Sequence, residues 1–161
     1  MKTLAEAFHH TLQDIYYAEK ALTKALPKMS GAVSNGDFKA LIDAHLAETK
    51  QQVKLLDKVF ASIGEKSEGV KCDAMDGLIK ETEGIMEEAT GVALDASLIA
   101  AAQAVEHYEI ARYGTLREWA KVLGHSEAHD LLTQILDMEK AANSKLTGLA
   151  VTVVNTAKKA A

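Results

Sequence analysis

The sequence of 161 residues contains one cysteine and one proline, and each scarcity excludes something. With only Cys72, no disulfide can form within the chain. A lone thiol is typical of a reducing compartment, so we expect a cytoplasmic protein. With one proline and abundant Ala, Leu, Glu and Lys, little interrupts a helix, and we expect helices along almost the whole chain.

Long apolar runs and an excess of positive charge are also missing. The longest apolar stretch, residues 97–105, is far shorter than the roughly 20 residues that a membrane-spanning helix needs. Glu6 and His9 interrupt any apolar run near the N-terminus, so we find no signal-peptide pattern. The net charge is −5 and there is no basic stripe, so we expect neither a membrane nor a nucleic acid as a partner.

Apolar residues instead recur every three or four positions along four long segments, which is the period of an α-helix. The first segment begins at Thr3, a predicted N-cap with Glu6 three residues later, and Pro27 is predicted to kink or end it. The other segments run from about Asp37 to Ile63, from about Leu94 to Leu123, and from a predicted cap at Ser126 onward. The tail, residues 155–161, is predicted to fray.

A further, shorter helix is predicted within the long connection between the second and third segments. In this prediction Gly64 ends the second helix, Asp73 caps the short helix, and Gly91 interrupts it. The apolar face of the short helix consists of Met75, Leu78, Ile79, Ile85 and Met86. A connection of this length can travel the whole length of a bundle. We therefore predict one domain over residues 1–161, an all-α, ferritin-like four-helix bundle whose long crossover carries an extra short helix.

Five glutamates interrupt the apolar stripes of the four long helices at similar heights. They are Glu19, Glu48, Glu106, Glu109 and Glu139. Burying a carboxylate in a helix core costs free energy unless a positive charge neutralises it, and Lys and Arg are nearly absent from these stripes. Because carboxylates can bridge two metal ions or chelate one, a pair of metal ions is the simplest source of that charge.

His45 lies three residues before Glu48, on the same helix face, and is the sixth candidate metal ligand. Taken alone, each glutamate could instead lie at the edge of its helix face and reach water or a lysine. Glu109 is the clearest such case, because Arg112 follows it by three residues and could pair with it. The similar heights of all five glutamates favour the metal site over this alternative.

Two more side chains lie near the predicted ligands, and their roles stay open. His107 points about a quarter-turn away from Glu106, so it could approach the site from the side or face another subunit. Tyr113 lies one turn beyond Glu109 and could hydrogen-bond a ligand, take part in radical chemistry or simply pack in the core.

Several of these motifs resemble the bacterial YciE/YciF family of ferritin-like stress proteins, and the likeness covers nearly the whole chain. The matching segments are residues 14–20, 44–50, 74–79, 101–116 and 138–140. The resemblance implies a four-helix bundle with an extra helix, a metal-site layout like that of rubrerythrin, a homodimer and a role in the bacterial stress response.

The ligand pattern of ferritin-like proteins transfers only in part to this sequence. That pattern has a Glu on the first helix, Glu-x-x-His on the second, Glu on the third and Glu-x-x-His on the fourth. Glu19 fits the first position, whereas residues 45–48 reverse the order on the second helix. Residues 106–109 read Glu-x-x-Glu, as in rubrerythrin, and Ala142 stands where the last histidine is expected. The predicted site is therefore rich in carboxylate and poor in nitrogen. Such hard oxygen ligands tolerate iron and manganese and, after purification, also magnesium or calcium.

The leading hypothesis is a dinuclear metalloprotein, with iron as the favoured metal and manganese as the alternative. It would react with dioxygen or hydrogen peroxide during stress. A second hypothesis is a non-catalytic stress-response dimer in which the buried carboxylates and the metal only hold the bundle together. A third is iron storage in a cage, which the crossover helix and the family resemblance disfavour relative to a dimer.

Overall fold

The structure is a computed structural model that describes residues 1–154, and within them the chain folds into five α-helices and a final π-helical turn. The elements are α1 (Leu4–Ala32), α2 (Gly36–Ser62), α3 (Asp73–Glu88), α4 (Gly91–Val122), α5 (Ser126–Leu149) and the turn Ala150–Val154. The tail that is predicted to fray, residues 155–161, lies outside the described residues.

The four long helices enclose one core, because each packs against two of the other long helices. α1 contacts α2 and α4, and α5 contacts the same two helices, which closes a ring in the order α1, α2, α5, α4. α3 packs against α1 and α4 at one edge of this ring. The prediction of an all-α four-helix bundle with an extra helix in the long connection is confirmed.

The first helix begins as predicted and extends further than its proline suggests. Thr3 and Glu6 form a capping box: the Thr3 hydroxyl accepts from the Glu6 N–H at 3.2 Å, and the Glu6 carboxylate accepts from the Thr3 N–H at 3.3 Å. Pro27 does not end α1, which continues to Ala32. Met29 lies buried in this last part of the helix, and such packing offsets the hydrogen bond that proline cannot donate.

The N-caps of α3 and α5 lie one residue earlier than predicted. Cys72 caps α3, because its Sγ accepts from the N–H of Met75 at 3.4 Å, and the predicted cap Asp73 is the first helical residue. His125 occupies the cap position of α5 without a side-chain hydrogen bond, and the predicted cap Ser126 is again the first helical residue. In both cases the better capping side chain stands one position away from the cap, so residue preference alone misplaces the boundary.

Asp95 of α4 is buried and fixes the turn between α1 and α2. Its carboxylate accepts from the Ser34 N–H at 2.9 Å, the Ser34 hydroxyl at 2.7 Å and the Asn35 N–H at 3.0 Å. These bonds hold the start of α2 against α4. They therefore help to set the relative position of the two helices that carry His45 and Glu106.

Apolar side chains fill the core on both sides of a polar middle level. In α1, Leu12 and Ile15 are buried before Glu19, and Leu22 and Leu26 are buried after it. The same order holds around the buried glutamates of α4 and α5. Within residues 1–154, no helix combines the length and the apolar character that crossing a lipid bilayer requires.

Candidate metal centre

The polar middle level contains four of the five predicted glutamates, and all four are almost completely shielded from solvent. The exposed fractions are 0% for Glu19, 2% for Glu106, 1% for Glu109 and 0% for Glu139. They come from α1, α4 and α5 and approach one another from different sides of the bundle. Four carboxyl groups thus share one region of the core.

α2 completes a group that could hold a metal ion. One ligand atom from each of His45, Glu106, Glu109 and Glu139 lies within 4.8 Å of those from the other three. Among the described residues, the nearest carboxylate oxygen to His45 is Oε1 of Glu106, which lies 3.4 Å from the histidine Nε2. We refer to these four residues as the metal cluster.

Glu19 borders the metal cluster without being part of it. The hydroxyl of Tyr113 donates a hydrogen bond to Glu19 Oε1, which fixes one oxygen of this carboxylate. Electrostatic interactions also couple Glu19 to His45, Glu106 and Glu109. α1 therefore places a carboxylate beside the metal cluster, and the role of Glu19 as a metal ligand stays a prediction.

Glu48 lies at the edge of the site rather than in the middle of the core. Its side chain is 31% exposed, and its Oε1 is 3.4 Å from the ammonium group of Lys145 on α5. Its Oε2 is 4.0 Å from Nδ1 of His45, which is beyond hydrogen-bond distance. The alternative of an edge position next to a lysine therefore describes Glu48, and it does not describe the four buried glutamates.

Unpaired polar atoms show that the residues present fit a bound cation. Several buried side-chain atoms in this region have no hydrogen-bond partner, namely Oε2 of Glu19, Glu106 and Glu139, both oxygens of Glu109, and Nδ1 of His45. Buried polar groups almost always have partners, and an unpaired carboxylate in a core is especially costly. A hard cation would satisfy this set of mostly oxygen donors.

The same burial changes the pKa values of the carboxyl groups. Burial raises the pKa of Glu19 to about 7, and the hydrogen bond from Tyr113 opposes part of this rise. Burial and then the neighbouring carboxylates raise the pKa values of Glu109 and Glu139 well above the ordinary value. Without a cation, these groups therefore hold protons at a pH where exposed glutamates are ionised.

The pKa of His45 reflects two opposing influences. Burial lowers it, because the charged imidazolium is poorly solvated in the core. Glu48, Glu106 and Glu19 favour the charged form and outweigh the burial, so the pKa lies above the ordinary value. The carboxylates of this region thus stabilise positive charge at the position of His45.

Comparison with known proteins places the chain in a family. The model of a family described as "Domain of unknown function (DUF892)" matches residues 3–159. The chain belongs to the DUF892 family. It is 48% identical over 157 residues to Protein YciF of Escherichia coli strain K12. The aligned residues cover 96% of this chain and 95% of that protein. The resemblance to the YciE/YciF family is therefore confirmed.

Solved structures of similar proteins share the fold of this DUF892 chain. The E. coli stress protein YciF superposes with a TM-score of 0.93 at 47% identity, covering 97% of this chain and 99% of that one. YcfI from Rhodopseudomonas palustris, for which a structural role has been proposed, superposes with a TM-score of 0.88 at 52% identity. The match covers 91% of this chain and 94% of that one. A protein from Xanthomonas campestris superposes with a TM-score of 0.73 at 23% identity, and the match covers 95% of this chain and 94% of that one. This similarity supports the fold alone.

Two uncharged side chains orient carboxylates at the DUF892 site. Besides the bond from Tyr113 to Glu19, the side-chain amide of Gln52 on α2 donates to Oε1 of Glu139 at 2.7 Å. Each bond fixes one oxygen of a carboxylate and leaves its Oε2 unpaired. The sequence does show a signal for Gln52, which follows Glu48 by four residues on the same helix, but a glutamine there does not by itself indicate a role.

His107 and Arg112 lie outside the metal cluster. His107 is exposed, and its Nδ1 is 2.7 Å from the carbonyl oxygen of Gln103, one turn earlier on α4. Arg112 does not pair with Glu109; its Nε lies 3.6 Å from Oδ2 of Asp14 on α1. The alternative in which Arg112 neutralises Glu109 is therefore wrong.

Proposed function

We propose that this protein binds two metal ions, with iron as the native metal, and acts in the bacterial stress response. The proposed ligands are Glu19, His45, Glu48, Glu106, Glu109 and Glu139. The observation that carries the proposal is the set of buried, unpaired carboxylate oxygens that converge from different helices. The similarity to a protein named as a stress protein supports the biological setting.

Reduced iron held at this site would supply the electrons for reduction of dioxygen or hydrogen peroxide. The contribution of the chain is positioning and charge. Tyr113 and Gln52 hold Glu19 and Glu139 in fixed orientations, which is how neighbouring hydrogen bonds tune ligands. The apolar layers above and below the glutamates exclude water from the site. Among the proposed ligands, Glu48 is the most exposed, with 31% of its side chain open to solvent, and His45 follows with 13%.

Metal content tests the proposal directly. Protein loaded with ferrous ion under anaerobic conditions should retain close to two ions per chain after desalting. Glu106→Gln should lose most of this metal, because Glu106 belongs to the metal cluster and approaches His45 to 3.4 Å. Glu118→Gln is the matched control, since Glu118 is an exposed glutamate of the same helix that pairs with Arg117. Full metal content in Glu106→Gln would refute the assignment.

A non-catalytic role is the second candidate, and the description of the R. palustris relative favours it. In this case the cation would only neutralise the buried carboxylates and hold α2, α4 and α5 together. Peroxide added to the ferrous-loaded protein separates the two functions. The catalytic function requires fast, saturable oxidation of iron above the rate of free ferrous ion, whereas the structural role predicts no acceleration.

We also propose a homodimer, which the resemblance to the YciE/YciF family supports. Light scattering after size-exclusion chromatography would test this, because the mass of the chain is 17.3 kDa. A dimer has twice this mass. A cage of many subunits, as iron storage would require, elutes far earlier.

A further inference from the structure

Two small cavities meet the metal cluster on the same side. Each has a volume of about 40 Å³, and both reach His45 and Glu106. One lies where α1, α3 and α4 pack together, and the other where α1 and α2 pack against α4 and α5. Small molecules that approach the cluster through either cavity therefore arrive at His45 and Glu106.

The cavity next to α3 has predominantly apolar walls. Its lining includes Leu22, Leu26, Met29, Ile79 and Met86. At its outer end, the ammonium group of Lys28 forms an ion pair with Glu83 at 2.8 Å. We call this cavity the α3 chamber. The second cavity differs because Glu48 and Lys145 contribute to its lining, and Glu48 is itself a proposed ligand.

The size of the α3 chamber limits what can occupy it. A cavity needs about 10–15 Å³ to hold one water molecule, so 40 Å³ admits a molecule of only a few atoms. The chamber opens to solvent beside Lys28 and Glu83, but its apolar walls offer water few hydrogen-bond partners, and apolar cavities of proteins bind apolar atoms and molecules such as xenon. The chamber therefore suits a diatomic, apolar molecule better than a polar one.

We propose that the α3 chamber takes up dioxygen and delivers it to the His45–Glu106 side of the metal cluster. This inference rests on the proposed function, since it assigns the oxidant and its route at the same site. It also gives the crossover helix a role, because Ile79 and Met86 of α3 form one wall of the chamber. The hydrogen-bonded pair of Tyr113 and Glu19 lines neither cavity and is fully buried.

Xenon binding to the metal-free protein tests the chamber without any reaction. Ala25 of α1 lines the chamber, so Ala25→Phe should fill it. Ala21→Phe is the matched control, because Ala21 lies one turn earlier on α1 and borders the outer cleft that Ala25 also borders, but not the chamber. Xenon should occupy the chamber in the wild-type protein and in Ala21→Phe, and should be lost in Ala25→Phe. Absence of xenon from the wild-type protein would overturn the proposal.

Oxidation of bound iron by dioxygen then tests the route. Ala25→Phe should slow this oxidation several-fold at unchanged iron content, whereas Met86→Ala, which widens the chamber, should increase xenon occupancy and should not slow oxidation. A circular dichroism spectrum confirms that each variant is folded. Iron-loaded Ala25→Phe that is oxidised at the wild-type rate would overturn the route and leave the proposed function intact. Wild-type protein that binds no iron would overturn both.

Discussion

Arg112 and Glu109 lie one turn apart on α4, yet the guanidinium group turns away from the carboxylate towards Asp14 on α1. Its Nε is 3.6 Å from Oδ2 of Asp14, and the guanidinium lies over the ring of Tyr108 at 4.9 Å from the ring centre. Tyr108 also donates to Asp14 at 2.6 Å. Glu109 is left with two buried oxygens that have no hydrogen-bond partner. Arg112, the cation nearest to Glu109 on this helix, therefore contacts Asp14 and Tyr108 instead, and Glu109 is available to a bound cation.

Removing the carboxylate of Glu109 should stabilise the metal-free protein. In Glu109→Gln, the new amide can donate to neighbouring carboxylates, and position 109 no longer adds a carboxyl group to the buried acidic cluster. We expect the free energy of unfolding of the metal-free variant at pH 8 to rise by about 1–2 kcal/mol. The stabilisation that ferrous or manganous ion gives to the wild-type protein should be lost at the same time. Urea unfolding with and without a chelator measures both effects.

The exposed glutamate Glu118 provides the control for this experiment. Glu118→Gln removes a surface ion pair with Arg117, so the free energy of unfolding should change little and the response to metal should be unchanged. The assignment of Glu109 would fail if Glu109→Gln destabilised the metal-free protein and still responded to metal as the wild-type protein does.

The stability of the metal-free protein should fall as the pH rises from 4.5 to 7. The pKa of Glu19 is raised from 4.5 to about 7, so between these values the folded state binds a proton that the unfolded state has lost. Its contribution is therefore fully present below pH 4.5 and is lost as the pH rises through 7. For this group alone the loss is about 3 kcal/mol. The lowered pKa of Glu48 acts in the opposite direction, but only below pH 4.5.

Urea unfolding in the presence of a chelator at pH 5, 6, 7 and 8 measures this dependence. Glu19→Gln should make the profile flatter, because the titrating carboxyl is gone. Metal should reverse the trend for the wild-type protein, since ligands must lose their protons before they bind and affinity rises with pH. A metal-free protein that becomes more stable from pH 5 to pH 8 would contradict the interpretation of these pKa values.

The long helices and the buried glutamates could be predicted from the sequence because both depend on local periodicity. Apolar residues at helical spacing place Glu19 and Glu139 on buried faces whatever the neighbouring helices are, and the structure agrees. Contacts between distant segments carry no such signal. The partner of Arg112 is Asp14, 98 positions away, and the partner of Glu48 is Lys145, 97 positions away. Whether a glutamate such as Glu48 or Glu109 is buried or lies at the edge of its helix face therefore depends on packing between helices, which periodicity does not encode.

Pro27 lies inside α1, although proline normally kinks or ends a helix. Pro27 is exposed and lies inside α1, where it cannot donate the hydrogen bond that an amide would give to the carbonyl of Thr23. Pro27→Ala should therefore raise the free energy of unfolding by about 1–3 kcal/mol, less than the full helix preference because proline also restricts the unfolded chain. Thermal unfolding followed by circular dichroism measures the change. Lys24→Ala, an exposed control on the same helix, should change it by less than about 0.5 kcal/mol.

The hydroxyl of Tyr113 should matter for metal affinity rather than for the number of ions bound. Burial raises the pKa of Tyr113 well above its ordinary value, so the hydroxyl keeps its proton and donates to Glu19. Tyr113→Phe leaves that carboxylate free to rotate, and losing such an orienting bond typically costs about 10–100-fold in affinity. Competition with a chelator of known affinity, using manganous ion, measures the effect.

The matched control for Tyr113→Phe is Tyr108→Phe on the same helix. Tyr108 donates to Asp14 and contacts Cys72, and neither residue is a proposed ligand. Tyr108→Phe removes the hydroxyl, so it should leave the affinity for manganous ion unchanged and lower the free energy of unfolding by about 1 kcal/mol. If both variants weakened metal binding equally, the loss at Tyr113 would reflect general destabilisation of α4. If Tyr113→Phe alone weakened it, the bond to Glu19 would be the cause, and α1 would be shown to take part in the site.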